Sequence, residues 1–240
     1  MKVLSIGNSF SQDAQKYLHH LAKQDGVELK TVNLYIGGCS LQRHYLNMLD
    51  DNAAYDFEFN GEKTGIKVSI RQALVSDDWD FITLQQASHF SGQYKTYSPY
   101  MESLAEYVRK YCPHAKILIH QTWAYEDGSE KLQSLSEFAS SKEMLSALCD
   151  SYSKAAQQIK ADGIIPCGEA MMKALEMGIG RVHRDGFHAS LGVGRYLLAL
   201  CWYKAITKKD ISGNTFNDFQ EPVSERERTI VIGAVNSVVK

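Results

Sequence analysis

The sequence predicts an α/β protein, a three-layer α/β/α sandwich built on a mostly parallel five-stranded sheet with a small inserted β-hairpin. Short apolar runs alternate with segments of helical periodicity along most of the 240 residues, a pattern typical of strands joined by crossover helices. Residues 55–68 instead alternate apolar and polar side chains around Asn60-Gly61, which indicates a hairpin. We expect one domain over residues 1–240.

Buried apolar runs predict the five strands of the parallel sheet, at residues 3–6, 29–36, 80–86, 115–121 and 164–167. Apolar residues at helical spacing predict helices at 11–25, 41–49, 70–75, 99–111, 169–177, 191–207 and 224–239, with one long or two shorter helices in 130–160. The hairpin is compatible with a lid, a dimer contact or an extension of the sheet edge. Ligands of such sheets bind beyond the carboxyl ends of the strands, so we expect the functional residues on the loops that follow strands.

Composition excludes several classes of protein. The chain is 44% hydrophobic and 22% charged, with a net charge of −2. A nucleic-acid surface usually needs clustered basic charge, and this composition does not indicate one. No apolar run approaches the roughly 18 residues of a membrane span. The N-terminal apolar run is too short for a signal peptide, so we expect a cytoplasmic protein; a leader cleaved from a longer precursor is the alternative left open.

Cysteine usage points to a reducing compartment. The five cysteines are widely spaced and form no Cys-x-x-Cys pair; they are Cys39, Cys112, Cys149, Cys167 and Cys201. An odd count at these spacings argues against a disulfide framework and against a thiolate zinc site.

The loop after the first strand, Gly7-Asn8-Ser9-Phe10-Ser11, offers a candidate nucleophile. Gly7 permits a tight turn, and Ser9 falls at the mouth of a helix, where backbone N–H groups and the helix dipole favour negative charge. An attacking hydroxyl needs such a setting because an oxyanion forms beside it. The alternative is that Ser9 or Ser11 is only a helix cap, and local sequence alone favours that alternative.

A second candidate group stands before the helix predicted at 191–207. It reads Asp185-Gly186-Phe187-His188, and an Asp three residues before a His can bind and orient the imidazole. The other ring nitrogen is then free to accept a proton from a serine. The alternative is the start of a helix with an incidental histidine.

Together these segments resemble a known superfamily. Residues 7–11 are similar to the first block of the SGNH (GDSL-type) hydrolases, whose usual core is Gly-Asp-Ser with Asn as a frequent variant, and Asp185-x-x-His188 is similar to their last block. Residues 37–41 and 84–88 narrow the resemblance to a branch known only as a domain of unknown function, DUF4886. The resemblance implies the flavodoxin-like SGNH fold and a serine esterase with Ser9, Asp185 and His188 as the catalytic triad.

The same resemblance implies an oxyanion hole formed by the backbone N–H groups of Ser9 and Gly38. Its third donor is usually an Asn in a Gly-x-Asn-Asp block after the third strand, and this chain lacks that Asn. The candidate replacements are Gln85, Gln86, Ser88 and His89. We favour Gln86 because its amide is chemically closest, and a lost donor costs about two to three orders of magnitude in rate.

Three further side chains are candidates for substrate contact. Trp123 and Tyr125, after the fourth strand, fit an aromatic wall for a substrate such as a sugar ring, although core or lid packing fits them equally well, and Ser88 lies on the loop after the third strand. We predict no metal site, because the eight histidines include no His-Glu-x-x-His pair. Walker-type and dinucleotide-binding glycine patterns are also absent, so we expect no cofactor.

We therefore predict a serine esterase or acylhydrolase acting on a small ester or an acylated carbohydrate, with no nucleic-acid or membrane partner. The acetyl-carbohydrate substrate is implied by the resemblance alone. Oligomeric state and pathway stay open. The main alternative is an SGNH-fold glycan- or small-ligand-binding module of weak or no activity, motivated by the missing Asn. A flavodoxin-like flavin or signalling protein is a third hypothesis, but residues 7–11 carry neither an acidic cluster nor a phosphate loop.

Overall fold

A single seven-stranded sheet organises the computed structural model, which describes residues 1–240. Its strands lie in the order β4-β3-β2-β1-β5-β6-β7. They are β1 (Lys2–Gly7), β2 (Lys30–Tyr35), β3 (Tyr55–Phe59), β4 (Glu62–Val68), β5 (Phe81–Leu84), β6 (Lys116–Gln121) and β7 (Gly163–Pro166). Five strands are parallel, and β3 and β4 add to the β2 edge in antiparallel pairing.

Ten α-helices connect and cover the strands. They are α1 (Ser9–Gln15), α2 (Leu18–Gln24), α3 (Leu41–Leu49), α4 (Ile70–Leu74), α5 (Tyr100–Tyr111), α6 (Glu130–Gln133), α7 (Ser141–Ile159), α8 (Cys167–Glu176), α9 (Val193–Thr207) and α10 (Glu225–Val238). Short 3₁₀ turns occupy residues 88–90 and 94–96. The predicted three-layer α/β/α class is confirmed.

The hairpin is part of the main sheet. The five strands predicted as parallel are present, and β3 pairs with β2 at residues 32–35. The sheet therefore has seven strands where five were predicted together with an inserted hairpin. Of the three roles considered for the hairpin, extension of the sheet edge is the one the structure contains.

One predicted helix is divided in two, one open alternative is decided, and the other predicted helices agree with the structure to within two residues at each end. Residues 11–25, predicted as one helix, form α1 and α2 with a break at Lys16 and Tyr17. The Tyr17 hydroxyl binds the backbone of Leu191 and Gln220, so long-range contacts hold the break. Residues 130–160 form α6 and α7, the second of the two arrangements considered.

Helix α9 anchors the C-terminal half of the chain. It contacts α1, α2, α8, α10 and β7, and most of its side chains are buried. A helix that is apolar on all sides needs such complete burial. Because the loop before α9 carries Asp185 and His188, this packing also fixes where that loop begins and ends.

The strand order reverses between β1 and β5. The chain passes from β1 to β2 on one side and later returns to β5 on the other, which places a ligand crevice at the carboxyl ends of these two strands. Ser9 begins directly after β1, at that end. No helix combines the length and apolar character needed to cross a membrane.

Candidate active site

The turn after β1 is capped by the neighbours of Ser9. The Asn8 side-chain oxygen accepts a hydrogen bond from the Phe10 backbone N–H at 3.0 Å, and the Ser11 hydroxyl accepts one from the Asn8 N–H at 3.0 Å. These two residues form a capping box. Ser11 therefore has the capping role considered for both serines, and the Ser9 hydroxyl, on the first helical residue, is left for another partner.

Gly7 is required in this turn for space. A Cβ atom on Gly7 would lie 2.0 Å from the Ser11 hydroxyl oxygen and 3.1 Å from the Asn33 side-chain oxygen. The Ser11 hydroxyl is itself held by Asn33 at 2.7 Å, so it cannot move aside without losing that bond. The glycine therefore lets the capping serine sit directly against the strand end.

Ser9, His188 and Asp185 form a continuous chain of hydrogen bonds. The Ser9 Oγ lies 2.9 Å from His188 Nε2, and His188 Nδ1 lies 2.8 Å from Asp185 Oδ2. Ser9 and His188 are 179 positions apart in the sequence. The three groups predicted from two separate motifs are thus brought together in the geometry of a catalytic triad.

The carboxylate of Asp185 makes two contacts with the same histidine. Its Oδ1 accepts the His188 backbone N–H at 2.8 Å, while Oδ2 faces the ring. Partial burial favours the neutral acid, but the hydrogen bonds from the His188 ring and backbone outweigh it and lower the pKa of Asp185. A charged Asp185 requires a proton on Nδ1, which leaves the Nε2 lone pair facing the Ser9 hydroxyl.

The loop that carries Asp185 and His188 has its own supports. Gly186 adopts a φ of +85°, a conformation that favours glycine. The Trp123 indole N–H donates to the Phe187 carbonyl at 2.7 Å, and the Trp123 ring stacks on Phe10 with centroids 4.1 Å apart. An aromatic contact thus joins the helix of Ser9 to the loop of His188.

Two backbone N–H groups are available to bind an oxyanion. The N–H groups of Ser9 and Gly38 make no hydrogen bond within the chain. Gly38 is exposed and has a φ of +61°. The next residue, Cys39, is held by Asn8, whose Nδ2 donates to the Cys39 carbonyl at 3.1 Å. The Gly38 loop is therefore joined directly to the turn that carries Ser9.

The structure does not support Gln86 as the third oxyanion donor. Its amide nitrogen is engaged with the Thr96 carbonyl and hydroxyl, both at 3.1 Å. Its amide oxygen accepts the backbone N–H groups of Leu41 and Ala87. This fully buried side chain ties three segments together, and its donors are used for that purpose.

The other three candidates for the third donor differ in whether their side chains already have hydrogen-bond partners. The Gln85 amide donates to Asn8 Oδ1 at 2.8 Å, and the Ser88 hydroxyl pairs with the Tyr125 hydroxyl at 2.8 Å. His89 makes no side-chain hydrogen bond and is half-buried, and burial lowers its pKa. His89 is thus the one candidate of the four with an uncommitted polar side chain, and its role stays a prediction.

The aromatic wall predicted at Trp123 is wrong in this structure. Trp123 has 0% of its surface exposed, so it packs beneath the loop of residues 184–189, the core role considered as its alternative. Tyr125 and Ser88 are also buried and bind each other. Direct substrate contact by these two residues stays a prediction.

The histidine closest in sequence to the triad has a separate role. His183 is buried, and its Nε2 pairs with the Ala124 carbonyl at 3.0 Å; burial lowers its pKa, which favours the neutral ring. No cluster of three or more His, Cys, Asp or Glu side chains is arranged to hold a metal ion.

Sequence reasoning missed one important acid at the site. Asp13 follows Ser9 by four residues on α1, is completely buried, and pairs with Arg184 and Arg195. An acid among the apolar residues of a helix is a signal that could have indicated it, because a buried carboxylate needs partners. Which basic residues those are was not readable from spacing.

Comparison with known proteins identifies the family. The model for the domain of unknown function DUF4886 matches residues 2–237, nearly the whole chain. The chain belongs to the DUF4886 family. No curated protein matches it.

Solved structures agree with the DUF4886 assignment and relate the fold to the SGNH hydrolases. A DUF4886 family protein from Bacteroides uniformis ATCC 8492 is 34% identical over 100% of this chain and 94% of its own, with a TM-score of 0.93. A protein assigned as an SGNH hydrolase from Slackia heliotrinireducens is 23% identical over 86% and 98%, with a TM-score of 0.63. An acetyl xylan esterase is 14% identical over 86% and 100%, with a TM-score of 0.59. This DUF4886 protein therefore has the SGNH hydrolase fold, as the sequence motifs predicted.

Proposed function

We propose that this protein is a serine esterase or acylhydrolase that cleaves a small ester through Ser9, His188 and Asp185. The observation that carries the proposal is the hydrogen-bonded chain from the Ser9 hydroxyl through the His188 ring to the Asp185 carboxylate, with distances of 2.9 and 2.8 Å. The fold shared with SGNH hydrolases supports the same chemistry.

In the first half of the reaction, Ser9 attacks the ester carbonyl while His188 Nε2 takes the hydroxyl proton. Asp185 stays charged and stabilises the imidazolium. The tetrahedral oxyanion is held by the N–H groups of Ser9 and Gly38, which have no other partner in the chain. Collapse of the intermediate breaks the ester C–O bond, and the alcohol leaves with the proton from His188.

In the second half, water attacks the acyl-enzyme formed on Ser9. His188 takes a proton from the water, and the second tetrahedral intermediate collapses to a carboxylic acid and the restored Ser9 hydroxyl. None of these steps draws on a cofactor. Every proton transfer passes through the Nε2 atom that already contacts Ser9.

The proposed substrate is a small acyl group on an alcohol such as a carbohydrate. Structures with this fold include an acetyl xylan esterase and an acetyl-xylooligosaccharide esterase from Geobacillus, and this supports the substrate proposal only through the fold. The open position of the site is compatible with a bulky alcohol, since Gly37 and Gly38 are exposed and the Asp185 side chain is 44% exposed.

Replacement of the nucleophile tests the proposal. We expect Ser9→Ala to lower turnover of p-nitrophenyl acetate by roughly 10⁴-fold or more, because the acyl-enzyme can no longer form. Ser153→Ala is the matched control, since Ser153 is exposed on α7 and makes no side-chain hydrogen bond. Circular dichroism checks that both variants fold. Unchanged turnover by folded Ser9→Ala protein contradicts the proposal.

A second candidate is a binding module of weak or no activity on the same fold. The observation that favours it is the commitment of the Gln86 amide to Thr96, which removes the favoured replacement for the usual third oxyanion donor. The two functions differ in the reactivity of Ser9, because only a serine activated by His188 reacts readily with a fluorophosphonate. Binding of acylated sugars with no turnover and no labelling favours the module.

A further inference from the structure

One buried carboxylate contacts both ends of the Asp185–His188 motif. Asp13 Oδ2 accepts the Ala189 backbone N–H at 3.1 Å and lies 2.9 Å from Arg184 Nη1. Arg184 is the residue directly before the motif, and Ala189 is the residue directly after it. The Asp13 side chain therefore holds the catalytic loop where it enters and where it leaves.

The same carboxylate is rigidly joined to the nucleophile. Asp13 follows Ser9 by four residues within α1, so the two side chains lie on the same side of the helix, one turn apart. Its other oxygen, Oδ1, accepts a hydrogen bond of 2.8 Å from the Nε of Arg195, a residue of α9. Asp13 thus has little freedom to move relative to Ser9, and it is 0% exposed.

The loop held by Asp13 is itself closed by backbone contacts. The Arg184 N–H donates to the His188 carbonyl at 3.0 Å, and the Arg184 guanidinium also donates to the Ala189 carbonyl. A shift of Arg184 or Ala189 therefore moves His188 with it. The distance from Ser9 to His188 depends on the distance from α1 to this loop, which the Asp13 contacts define.

We propose that Asp13 is a positioning residue that sets the Ser9–His188 separation by fastening the residues on both sides of the Asp185–His188 motif to the helix of the nucleophile. The proposal rests on the proposed esterase function. Asp13 touches neither substrate nor the reacting atoms. It acts through Arg184 and Ala189, and its effect is on the rate of proton transfer from Ser9.

Two variants separate the links of this network. Asp13→Asn keeps the side-chain shape, removes the charge shared by the two guanidinium groups and leaves only one acceptor oxygen. Arg184→Met removes the link on the motif side but leaves Asp13 its contacts with Arg195 and Ala189, which keeps the test alive if Asp13→Asn does not fold. Asp77→Asn is the matched control, because Asp77 also bridges two basic residues, Lys2 and Lys30.

The control site lies far from the chemistry. Lys2 and Lys30 begin β1 and β2, at the opposite end of the strands from Ser9. Loss of this ion pair reports the general cost of removing a bridged carboxylate. We expect Asp77→Asn to lower the melting temperature while leaving the reactivity of Ser9 unchanged.

The experiment measures the rate constant and the final stoichiometry of Ser9 labelling by a fluorophosphonate, together with a crystal structure of each variant. We expect both test variants to label to the same stoichiometry as the wild type but about 10- to 100-fold more slowly, since small misplacement of a general base has effects of this size. In the crystals we expect the Ser9 Oγ–His188 Nε2 distance to exceed hydrogen-bonding range.

The possible outcomes are distinct. Wild-type rate constants in both folded variants overturn the proposal, as does reduced stoichiometry at an unchanged rate, which indicates only a loss of folded protein. If the wild type itself does not react, the proposed esterase function fails, and the Ser9–His188 distance in the variant crystals still decides whether Asp13 positions the loop.

Discussion

At the scale of single residues, neighbouring side chains of the turn after β1 have separate roles. Asn8 Oδ1 accepts the Phe10 N–H and the Ser11 hydroxyl accepts the Asn8 N–H. The Ser9 N–H keeps no partner in the chain, and the Ser9 hydroxyl faces His188. Asn8 has a further role, because its Nδ2 donates to the Cys39 carbonyl while its Oδ1 accepts from Gln85 and Phe10. The Gly38 loop, the turn and the loop after β5 therefore meet at one buried amide.

Because the Asn8 amide is both donor and acceptor, we expect a negative charge at this position to affect activity. Although Asp is the usual residue of the SGNH first block, this chain uses the Asn8 amide to bind the Cys39 carbonyl. We therefore expect Asn8→Asp to lower kcat for ester hydrolysis about tenfold or more at neutral pH, because a carboxylate cannot donate that bond and the Gly38 donor is displaced. Steady-state kinetics over a range of pH measures this effect. The defect should shrink as the pH falls, since the carboxyl group introduced by the substitution regains a donor when it is protonated.

Asn8→Ser provides the comparison, because it keeps a neutral donor and introduces no charge. A smaller loss for Asn8→Ser than for Asn8→Asp is expected. If Asn8→Asp retains the wild-type kcat at neutral pH, then the Asn8–Cys39 contact has no influence on the oxyanion site.

At the scale of elements, the site is built from three loops at the carboxyl ends of the strands. The turn from β1 to α1 supplies Ser9, the loop after β2 supplies Gly38, and the segment before α9 supplies Asp185 and His188. The loop after β6 contributes no reacting group. Its Trp123 is buried between Phe10 and the Phe187 carbonyl and supports the catalytic loop from below.

The close fit of the β1–α1 turn predicts the effect of adding a single methyl group. We expect Gly7→Ala to destabilise the protein by about 1–3 kcal/mol, the usual range for overpacking, because the new Cβ collides with the Ser11 hydroxyl. Labelling of Ser9 should also slow, since the cap that orients α1 is disturbed. Urea denaturation and labelling kinetics measure the two effects.

Gly213→Ala is the appropriate control for this substitution, because a Cβ at Gly213 meets no atom within 4 Å. We expect it to have little effect on either measurement. Equal stability of Gly7→Ala and wild-type protein would mean that the turn can rearrange around the added methyl group.

The sequence predicted those parts of the site that local motifs encode. Ser9, Asp185 and His188 stand in short segments whose chemistry is recognisable beside a strand end or a helix start. Gln86 and Trp123 were misassigned because their roles depend on Thr96 and Phe187, which are distant or on another loop. Burial at such positions is a property of the packed molecule that no local pattern records.

At the scale of the whole molecule, strand order brings residues from opposite ends of the chain to one edge of the sheet. The alternating pattern predicted the sheet and its layers correctly, because crossover helices follow from short apolar runs and helical periodicity. It left open whether β3 pairs with β2. That pairing joins the hairpin to the main sheet and depends on the Val32–Phe59 register, which hairpin turn chemistry alone does not determine.

Two buried histidines make the stability of the folded protein depend on pH. Burial lowers the pKa of both His44 and His120 from 6.5 to about 3. Below about pH 6.5 these two histidines bind protons in the unfolded chain but stay neutral in the folded protein. The free energy of unfolding therefore falls as the pH drops below about 6.5. His120 binds Gln85 at 2.6 Å, next to Asn8, so this interior histidine also adjoins the nucleophile turn.

The pH dependence of the free energy of unfolding tests whether these two histidines destabilise the protein in acid. We expect the free energy of unfolding to fall between about pH 6 and pH 5 by about 1.4 kcal/mol per pH unit for each buried histidine. Urea denaturation of His120→Asn should show a smaller slope by up to that amount. His114→Asn, at an exposed position, should leave the slope unchanged, and an equal slope for His120→Asn and wild type would contradict this account.

The most direct test of the catalytic assignment is covalent labelling of the intact protein with a fluorophosphonate, read by mass spectrometry. We expect one adduct per chain, located on the peptide containing Ser9, and no adduct when His188 is replaced by Ala. An unmodified wild-type protein, or an adduct on another residue that persists in Ser9→Ala, would contradict it.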